Sequence, residues 1–411
     1  ISLFAGFYPA AVMSSFQPVA ALKKQFNPSF NKLNINYLRK GLIVFQFTVA
    51  LVLITGTYII GEQIQFILNK DLGFAQEAIV YSKTPWQKGE EKSYQFYQAL
   101  QTIPAIEASS MHLATPSGDN RSVNLFDIPN NEELKKQLVY QKFIDEHYLD
   151  LFEIELLAGR NVMPSDSLNQ IVVNEQLARQ MGYSDAADAL NQTIKTDDES
   201  YPIVGVVKDF HHKNLQVAIE PLLLRYAGFK NYVSYKFQPQ TDGATIEKTI
   251  AEIAAIWQNI YPEIPYDFSF YDESVAQMYE TERQTAKLMQ TATFVAVLIS
   301  CLGLFGLVSF MVVQRTREIG IRKVLGASVA NIVGLLSKDF LWLVGIAIFI
   351  GTPIAYWLGQ RWLADYAYAI EVEWWMFGLT AALAIGIAFL TVSTQSLRAA
   401  LINPVDSLKE E

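Results

Sequence analysis

The chain has 411 residues, 51% of them hydrophobic, and a formal net charge of −9. That is too apolar for an ordinary soluble protein, too charged to lie wholly in lipid, and long enough for two or three domains. The acidity argues against nucleic acid as a partner, and the single cysteine, Cys301, excludes a disulfide framework or a cysteine-based metal site within the chain.

Residues 1–15, ISLFAGFYPAAVMSS, read as the end of an apolar span. Ile1 starts mid-pattern, without Met or a basic leader, so the chain is expected to begin inside a longer polypeptide. Lys23, Lys24, Lys32, Arg39 and Lys40 follow, ahead of GLIVFQFTVALVLITGTYII at 41–60. This is the first of four runs that reach the roughly 20 apolar residues a bilayer core requires. The others are 291–313, 340–359 and 374–393. Backbone in lipid must satisfy itself, so all four are predicted helices.

Residues 68–286 are soluble in character. Strand-like runs are EAIVYS, QLVYQKFI, QIVVN, YPIVGVVKDF, NYVSYKFQ and PYDFSFYD. Between them, ATIEKTIAEIAAIWQNIYP places Ile246, Ile250, Ile253, Trp257 and Ile260 on one helical face, and NEQLARQMG ends at a glycine stop. These alternations predict an α+β domain of two packed subdomains. The flanking runs GEQIQFILNKDLG and DESVAQMYETERQTAKLMQTA predict helices that continue into the spans as a stiff stalk.

Basic residues orient the chain. They precede the first span and recur between the second and third as Arg315, Arg317, Arg322, Lys323 and Lys338, while the loop after the third span holds Arg361 against Asp365, Glu371 and Glu373. Basic loops stay cytoplasmic, which places 68–286 and the third-to-fourth loop outside. Trp357, Trp362, Tyr366, Tyr368, Trp374 and Trp375 read as anchors at the outer interface.

Between the second and third spans lies RTREIGIRKVLGAS, residues 315–328. Charge that only fixes topology needs no pattern, yet Arg315, Glu318 and Arg322 fall at i, i+3 and i+7, Ile319, Ile321, Val324 and Leu325 give apolar points, and Gly326 offers a helix stop. This predicts a short amphipathic helix along the membrane surface. A further pattern is FQPVAALK at 16–23 against INPVDSLK at 402–409. Each follows an apolar run, which suggests a duplicated unit of which this chain holds the second copy.

Catalytic signatures are missing. There is no G-x-x-x-x-G-K-[ST] loop, no H-E-x-x-H and no G-x-S-x-G. His211 and His212 point different ways and lack a carboxylate-rich ligand set, so a structural role outweighs a metal site. Asp197, Asp198 and Glu199 read as a solvated turn, and Glu62 as part of the stalk. Gly303 and Gly306, with Ser300 and Ser309, predict close helix packing.

RTREIGIRKVLGAS after an apolar span resembles the signature loop of FtsX-like permeases, the MacB type of ABC transporter membrane subunit. VYQKFIDEHYLDLFEIELLAGR, IVVNEQLARQMG, YPIVGVVKDFHHKNLQVAIEPLLL and LRKGLIVFQFTVALVLI resemble other family segments, so the likeness covers nearly the whole chain. It is nearest the second half of an eight-span, two-ectodomain permease. One departure is ALNQTIK at 189–195, where the family pattern reads I-G-K-x-I.

The resemblance implies a membrane protein with an α-helical transmembrane bundle, a large inserted α+β extracytoplasmic (MacB-like periplasmic) domain and a helical stalk. The implied division is 1–40 as the end of a preceding span with its cytoplasmic linker, 41–67 as transmembrane helix and stalk, 68–286 as the periplasmic domain, and 287–411 as the FtsX-like permease domain. It implies a multi-pass protein of the bacterial inner membrane, in contact with lipid and not itself an enzyme. No cofactor is expected in this chain, since a separate cytoplasmic ABC ATPase would bind ATP and Mg. That ATPase would dock on a loop in which Arg315, Arg317, Glu318, Gly320, Arg322, Lys323 and Gly326 make contacts or fix the helix, passing movement to the outer domain in efflux or mechanotransmission. Dimerisation or pairing with a second permease half is implied, and a periplasmic adaptor is a candidate partner. The alternatives are an FtsX-like scaffold regulating a cell-wall hydrolase and a lipoprotein-release permease.

Overall fold

The computed structural model describes residues 29–118, 122–128, 136–164, 169–196, 199–226, 230–315, 318, 321–322 and 325–401. The run at 1–15, the pair FQPVAALK and INPVDSLK, and the acidic pair Asp197 and Asp198 lie outside them. The helices are α1 (Ser29–Asn69), α2 (Glu90–Leu100), α3 (Tyr148–Leu151), α4 (Glu175–Gln180), α5 (Gly243–Ile260), α6 (Tyr271–Gln277), α7 (Glu280–Gln314), α8 (Val329–Leu363) and α9 (Trp374–Leu401). The strands are β1 (Ile79–Lys83), β2 (Ile106–His112), β3 (Val123–Asp127), β4 (Lys136–Ile144), β5 (Leu156–Gly159), β6 (Ile171–Asn174), β7 (Thr193–Lys195), β8 (Ser200–Val207), β9 (Leu222–Tyr226), β10 (Tyr232–Phe237) and β11 (Ser269–Phe270). Two compact units result. One holds the described residues up to Tyr58, Leu288–Gly359 and those from Val372 on; the other is Ile59–Lys287 with Gln360–Glu371.

The first unit is a helix bundle. α1, α7, α8 and α9 are each long and apolar enough to cross a membrane. α1 bonds to all three others. Ser300 Oγ on α7 donates to Gln46 O at 3.2 Å, and the Thr57 and Thr293 hydroxyls meet at 2.7 Å. Thr48 Oγ1 reaches Ala347 O on α8 at 3.5 Å, and Thr55 Oγ1 donates to Thr380 Oγ1 on α9 at 3.1 Å. Around these bonds pack Ile43, Phe47, Leu304, Val308, Val344 and Val392. A Cβ at Gly303 would collide with Gln46 Oε1, whereas one at Gly306 meets nothing within 4 Å. Of the two glycines expected to pack closely, only Gly303 lies in a helix contact. Ser309 is bonded instead by Gln395 Nε2 at 3.1 Å.

The inserted unit is α+β with two sheets. The smaller has the order β11-β1-β10-β2, all antiparallel. The larger has the order β5-β8-β6-β9-β4-β3-β7, and β7 also pairs with β8, so six strands close into a ring. Each of those six strands sends side chains to one cluster, among them Phe126, Val139, Val173, Ile194, Ile203 and Leu223. Closure removes free edges that would otherwise template aggregation. The smaller sheet carries α2 and α5 over Phe96, Tyr235, Ile253 and Trp257. A third cluster, built on Tyr148, Phe152, Phe210 and Tyr271, takes Ile79 from the small sheet and Ile144, Val172 and Leu224 from the large one, joining the two.

Local chemistry sets the helix ends. Asp242 caps α5 by accepting Thr245 N–H at 2.9 Å, and Trp257 is fixed by donating Nε1–H to Ile264 O at 2.9 Å. Asn174 caps α4 through Leu177 N–H at 3.1 Å. Gly182, at φ 88, ends that turn, with Tyr183 N–H bonding Ala178 O and Gly182 N–H bonding Arg179 O. At the departure in ALNQTIK, Asn191 takes φ 62. Asparagine tolerates the left-handed region better than other side chains, which suits it to this turn.

Two expectations are corrected. The predicted helix through DESVAQMYETERQ is interrupted between α6 and α7 at Met278 and Tyr279, because Tyr279 turns into the core and its hydroxyl accepts Leu215 N–H at 3.2 Å. Trp362, Tyr366 and Tyr368, read as interface anchors, pack on the inserted unit. Ala367 N–H bonds Gln216 O at 3.0 Å, and the buried Gln63 side chain clamps Tyr368 O at 2.9 Å and Ile370 N–H at 2.9 Å.

Candidate coupling site

Arg315 is the first residue beyond α7, its N–H still bonded to Met311 O at 3.0 Å. Its guanidinium lies 3.3 Å from Asp339 Oδ2, which ties the end of α7 to the body of α8. Glu318 and Arg322 pair at 2.7 Å across one helical turn, acid before base, the orientation a helix favours. Leu325 N–H closes on Ile321 O at 3.0 Å, Gly326 adopts φ 88, and Ala327 N–H reaches back to Arg322 O at 2.9 Å. That six-residue return bond is the glycine-terminated helix end. Ser328 Oγ then accepts Asn331 N–H at 3.2 Å and caps the start of α8.

This short stretch holds one helical turn, a glycine stop and a serine cap. It presents Ile321, 55% exposed, and Leu325, 79% exposed, beside the Glu318–Arg322 pair. Arg317, Gly320 and Lys323 lie outside the described residues. Asp339 was not singled out in the sequence; a carboxylate one residue beyond Lys338, near the start of an apolar run, was the available signal.

In the inserted unit, no group of three His, Cys, Asp or Glu side chains among the described residues is placed to hold a metal. His211 and His212 face different neighbours. His211 meets the Tyr368 ring edge-on at 4.7 Å, and His212 lies 5.3 Å from the Tyr140 ring. Burial, then nearby Lys142 and Lys213, depresses His212 to about 3. Burial and then Lys70 also lower His211. Both are neutral packing groups at physiological pH.

Other buried polar side chains escaped the sequence reading. Asp145 accepts Ser110 Oγ at 2.7 Å, Met111 N–H at 2.6 Å and His147 N–H at 3.1 Å, and burial raises its pKa against those bonds. Lys142, 1% exposed, donates to Thr115 O at 2.8 Å, and burial lowers it to about 7. His112 meets Ser234 Oγ at 2.7 Å, and burial, then Lys142, depresses it to about 3. The period of two was the signal for Lys142, since it sets Lys142 on the same face of β4 as Ile144.

Two family models match the chain: the MacB-like periplasmic core domain over residues 47–256, more than half the chain, and the FtsX-like permease C-terminal over 291–404. The chain is 24% identical over 286 residues to the macrolide export ATP-binding/permease protein MacB of Neisseria gonorrhoeae, covering 65% of this chain and 43% of that protein. It is 25% identical over 291 residues to the ABC transporter permease YvrN of Bacillus subtilis, covering 65% and 69%. Among solved structures, the periplasmic region of MacB from Actinobacillus actinomycetemcomitans aligns at 13% identity with a TM-score of 0.36, over 52% of this chain and 97% of that one. The chain spans less than half the length of the MacB protein it matches. By these matches the chain is a membrane protein and belongs to the MacB-type, FtsX-like family of ABC transporter permeases.

Proposed function

We propose that this chain is the permease subunit of an ABC transporter of the bacterial inner membrane, coupling ATP hydrolysis by a separate cytoplasmic ATPase to movement of its extracytoplasmic domain, in efflux or mechanotransmission. The ATPase holds the ATP and Mg. A second permease half, and a periplasmic adaptor outside, complete the assembly. Likeness to YvrN, named as a permease, supports a separate ATPase.

The observation that carries this reading is the segment around Arg322. It combines two exposed apolar side chains with an ion pair on one helical turn, and Arg315 links it to α8 through Asp339. A partner pressing there loads α7 and α8 together. α1 and α7 each hold residues of both units in one unbroken helix, which supports the stalk reading.

Arg322→Glu is the test. An exposed ion pair contributes about 0–1 kcal/mol, so insertion and folding survive its loss. The reversed charge sets two acids one turn apart and opposes an acidic partner surface. The expected result is loss of permease-stimulated ATP hydrolysis in reconstituted membranes, with weaker ATPase pull-down. A variant that binds and stimulates its ATPase like the parent makes this segment a topological anchor only.

A further inference from the structure

A cavity of about 470 Å3 opens within the inserted unit, bounded by β1, the turn at 115–118, the loop at 212–214 and α6. Small-molecule sites commonly fall between about 300 and 1,000 Å3. Its lining is rich in hydroxyls. Tyr81 OH and Ser274 Oγ meet at 2.9 Å, and Tyr271 OH takes both the N–H and the Oγ of Ser117 at 2.9 Å. Hydroxyls rotate, so each can turn a donor toward a guest. Among the described lining residues there is no Asp or Glu, and the one cation is Lys213.

His212 lines the same cavity, 2% exposed, with neither ring nitrogen hydrogen-bonded among the described residues. The Phe210 backbone lies close enough to interact without completing a bond. A buried imidazole with both nitrogens unsatisfied is costly and calls for a partner. The ionisable groups that face it are Lys142, Lys213 and the neutral His211, none of them acidic. Lys142 sits behind the wall, holding the carbonyl of Thr115, itself a lining residue. Lys213 is engaged by Glu220 and by Tyr140 OH, whereas Lys142 has no carboxylate contact among the described residues.

We propose that this cavity binds a small molecule bearing an oxyanion, a phosphate monoester or a carboxylate, with Lys213 and His212 as direct contacts, the Ser117, Tyr271 and Ser274 hydroxyls as donors, and Lys142 supplying charge from behind. A guest there touches α6, which joins α7 through Met278 and Tyr279, so occupancy bears on the root of a membrane helix. The site stands independently of the coupling reading above.

The chain has only four histidines, His112, His147, His211 and His212, which makes histidine NMR a direct reporter. The full chain, labelled at histidine Cε1 and held in nanodiscs of neutral lipid, is titrated with glycerol 3-phosphate, with succinate, and with glycerol as the uncharged control. The expected result is a saturable shift of the His212 signal, assigned by its loss in His212→Gln, with one of the two anions and not with glycerol. The anion that acts identifies the headgroup. Lys213→Gln is expected to weaken that binding at least tenfold, a loss of about 1.4 kcal/mol, and Ser274→Ala to weaken it less. In both variants the His112 signal stays in place as the sign of an intact fold. No saturable shift with either anion, an equal shift with glycerol, or unchanged affinity in Lys213→Gln would each overturn the proposal.

Discussion

Gly159 and Gly205 face each other across β5 and β8. Gly159 has φ 77, and a Cβ there would collide with Val204 O, with Leu190 Cδ2 at 2.6 Å and Gly205 Cα at 2.9 Å. Alanine at 159 therefore suffers twice. The left-handed backbone costs about 1–2 kcal/mol. Pushing β8 away adds overpacking of about 1–3 kcal/mol and the loss of the Arg160 N–H to Val204 O bond, now 3.0 Å, worth about 1 kcal/mol net. β8 also pairs with β6 and β7 in the ring, so it has little room to retreat. The sum is roughly 3–6 kcal/mol. Gly182 provides the control, because it has φ 88 and open space where a Cβ would go. Gly182→Ala should lose only the backbone share, about 1–2 kcal/mol. Pulse proteolysis of the detergent-solubilised chain in urea, read at cleavage within the inserted unit, measures both. With m of about 2–3 kcal/mol/M, the midpoint drops by roughly 1–3 M for Gly159→Ala and roughly 0.3–1 M for Gly182→Ala. Equal losses in the two variants would refute the steric part of the reasoning.

In the bundle, Gly303→Leu should drive α7 off α1 at about 1–3 kcal/mol and lower the thermal aggregation midpoint, while Gly306→Leu, facing open space, leaves it unchanged. Lys142 binds its proton less tightly when folded, about 7 against 10.5, so the unfolded chain holds more protons between those values and stability falls as pH drops through that window. Urea midpoints should therefore be higher at about pH 9 than at pH 7, and Lys142→Met should flatten this rise and stabilise the unit at pH 7. For topology, a cysteine introduced by Ser328→Cys in a Cys301→Ala background should resist an impermeant thiol reagent in intact cells. Labelling without permeabilisation would reverse the orientation derived from the basic residues.

The spans were legible because four runs of apolar residues leave few alternatives. Strands showed where apolar residues cluster or alternate, as in IVVN and YPIVGVV. Five were missed for physical reasons. β9 has Leu222, Leu223 and Leu224 all buried and so no alternation, β7 has three residues, and β2 buries Ser109 and Ser110 where a sequence reads solvent. β3 and β5 expose Leu125, Leu156 and Leu157, which inverts the expected pattern. Tyr366 and Tyr368 misled because an amphipathic ring beside a membrane exit looks the same whether it meets lipid headgroups or protein. At the coupling segment, the Gly326 stop is a local signal and was readable. The Arg315–Asp339 pair joins two helices and was not.

The hydroxyl contacts of α1 carry a consequence for how the protein is made. Of the four described spans, the one that bonds to the other three is synthesised ahead of them, and residues 59–287 intervene before the next of the four begins. At about 5–20 residues per second, α1 waits on the order of 10–50 s in the bilayer without its partners. Charged groups at those contacts would make the wait costly. Threonine hydroxyls at 48, 55 and 57 do not, since each can bond a carbonyl of its own preceding turn and later exchange it for a neighbour. These four helices thus close around the earliest of them only after the whole inserted unit has left the ribosome, with the choice of threonine letting that helix wait.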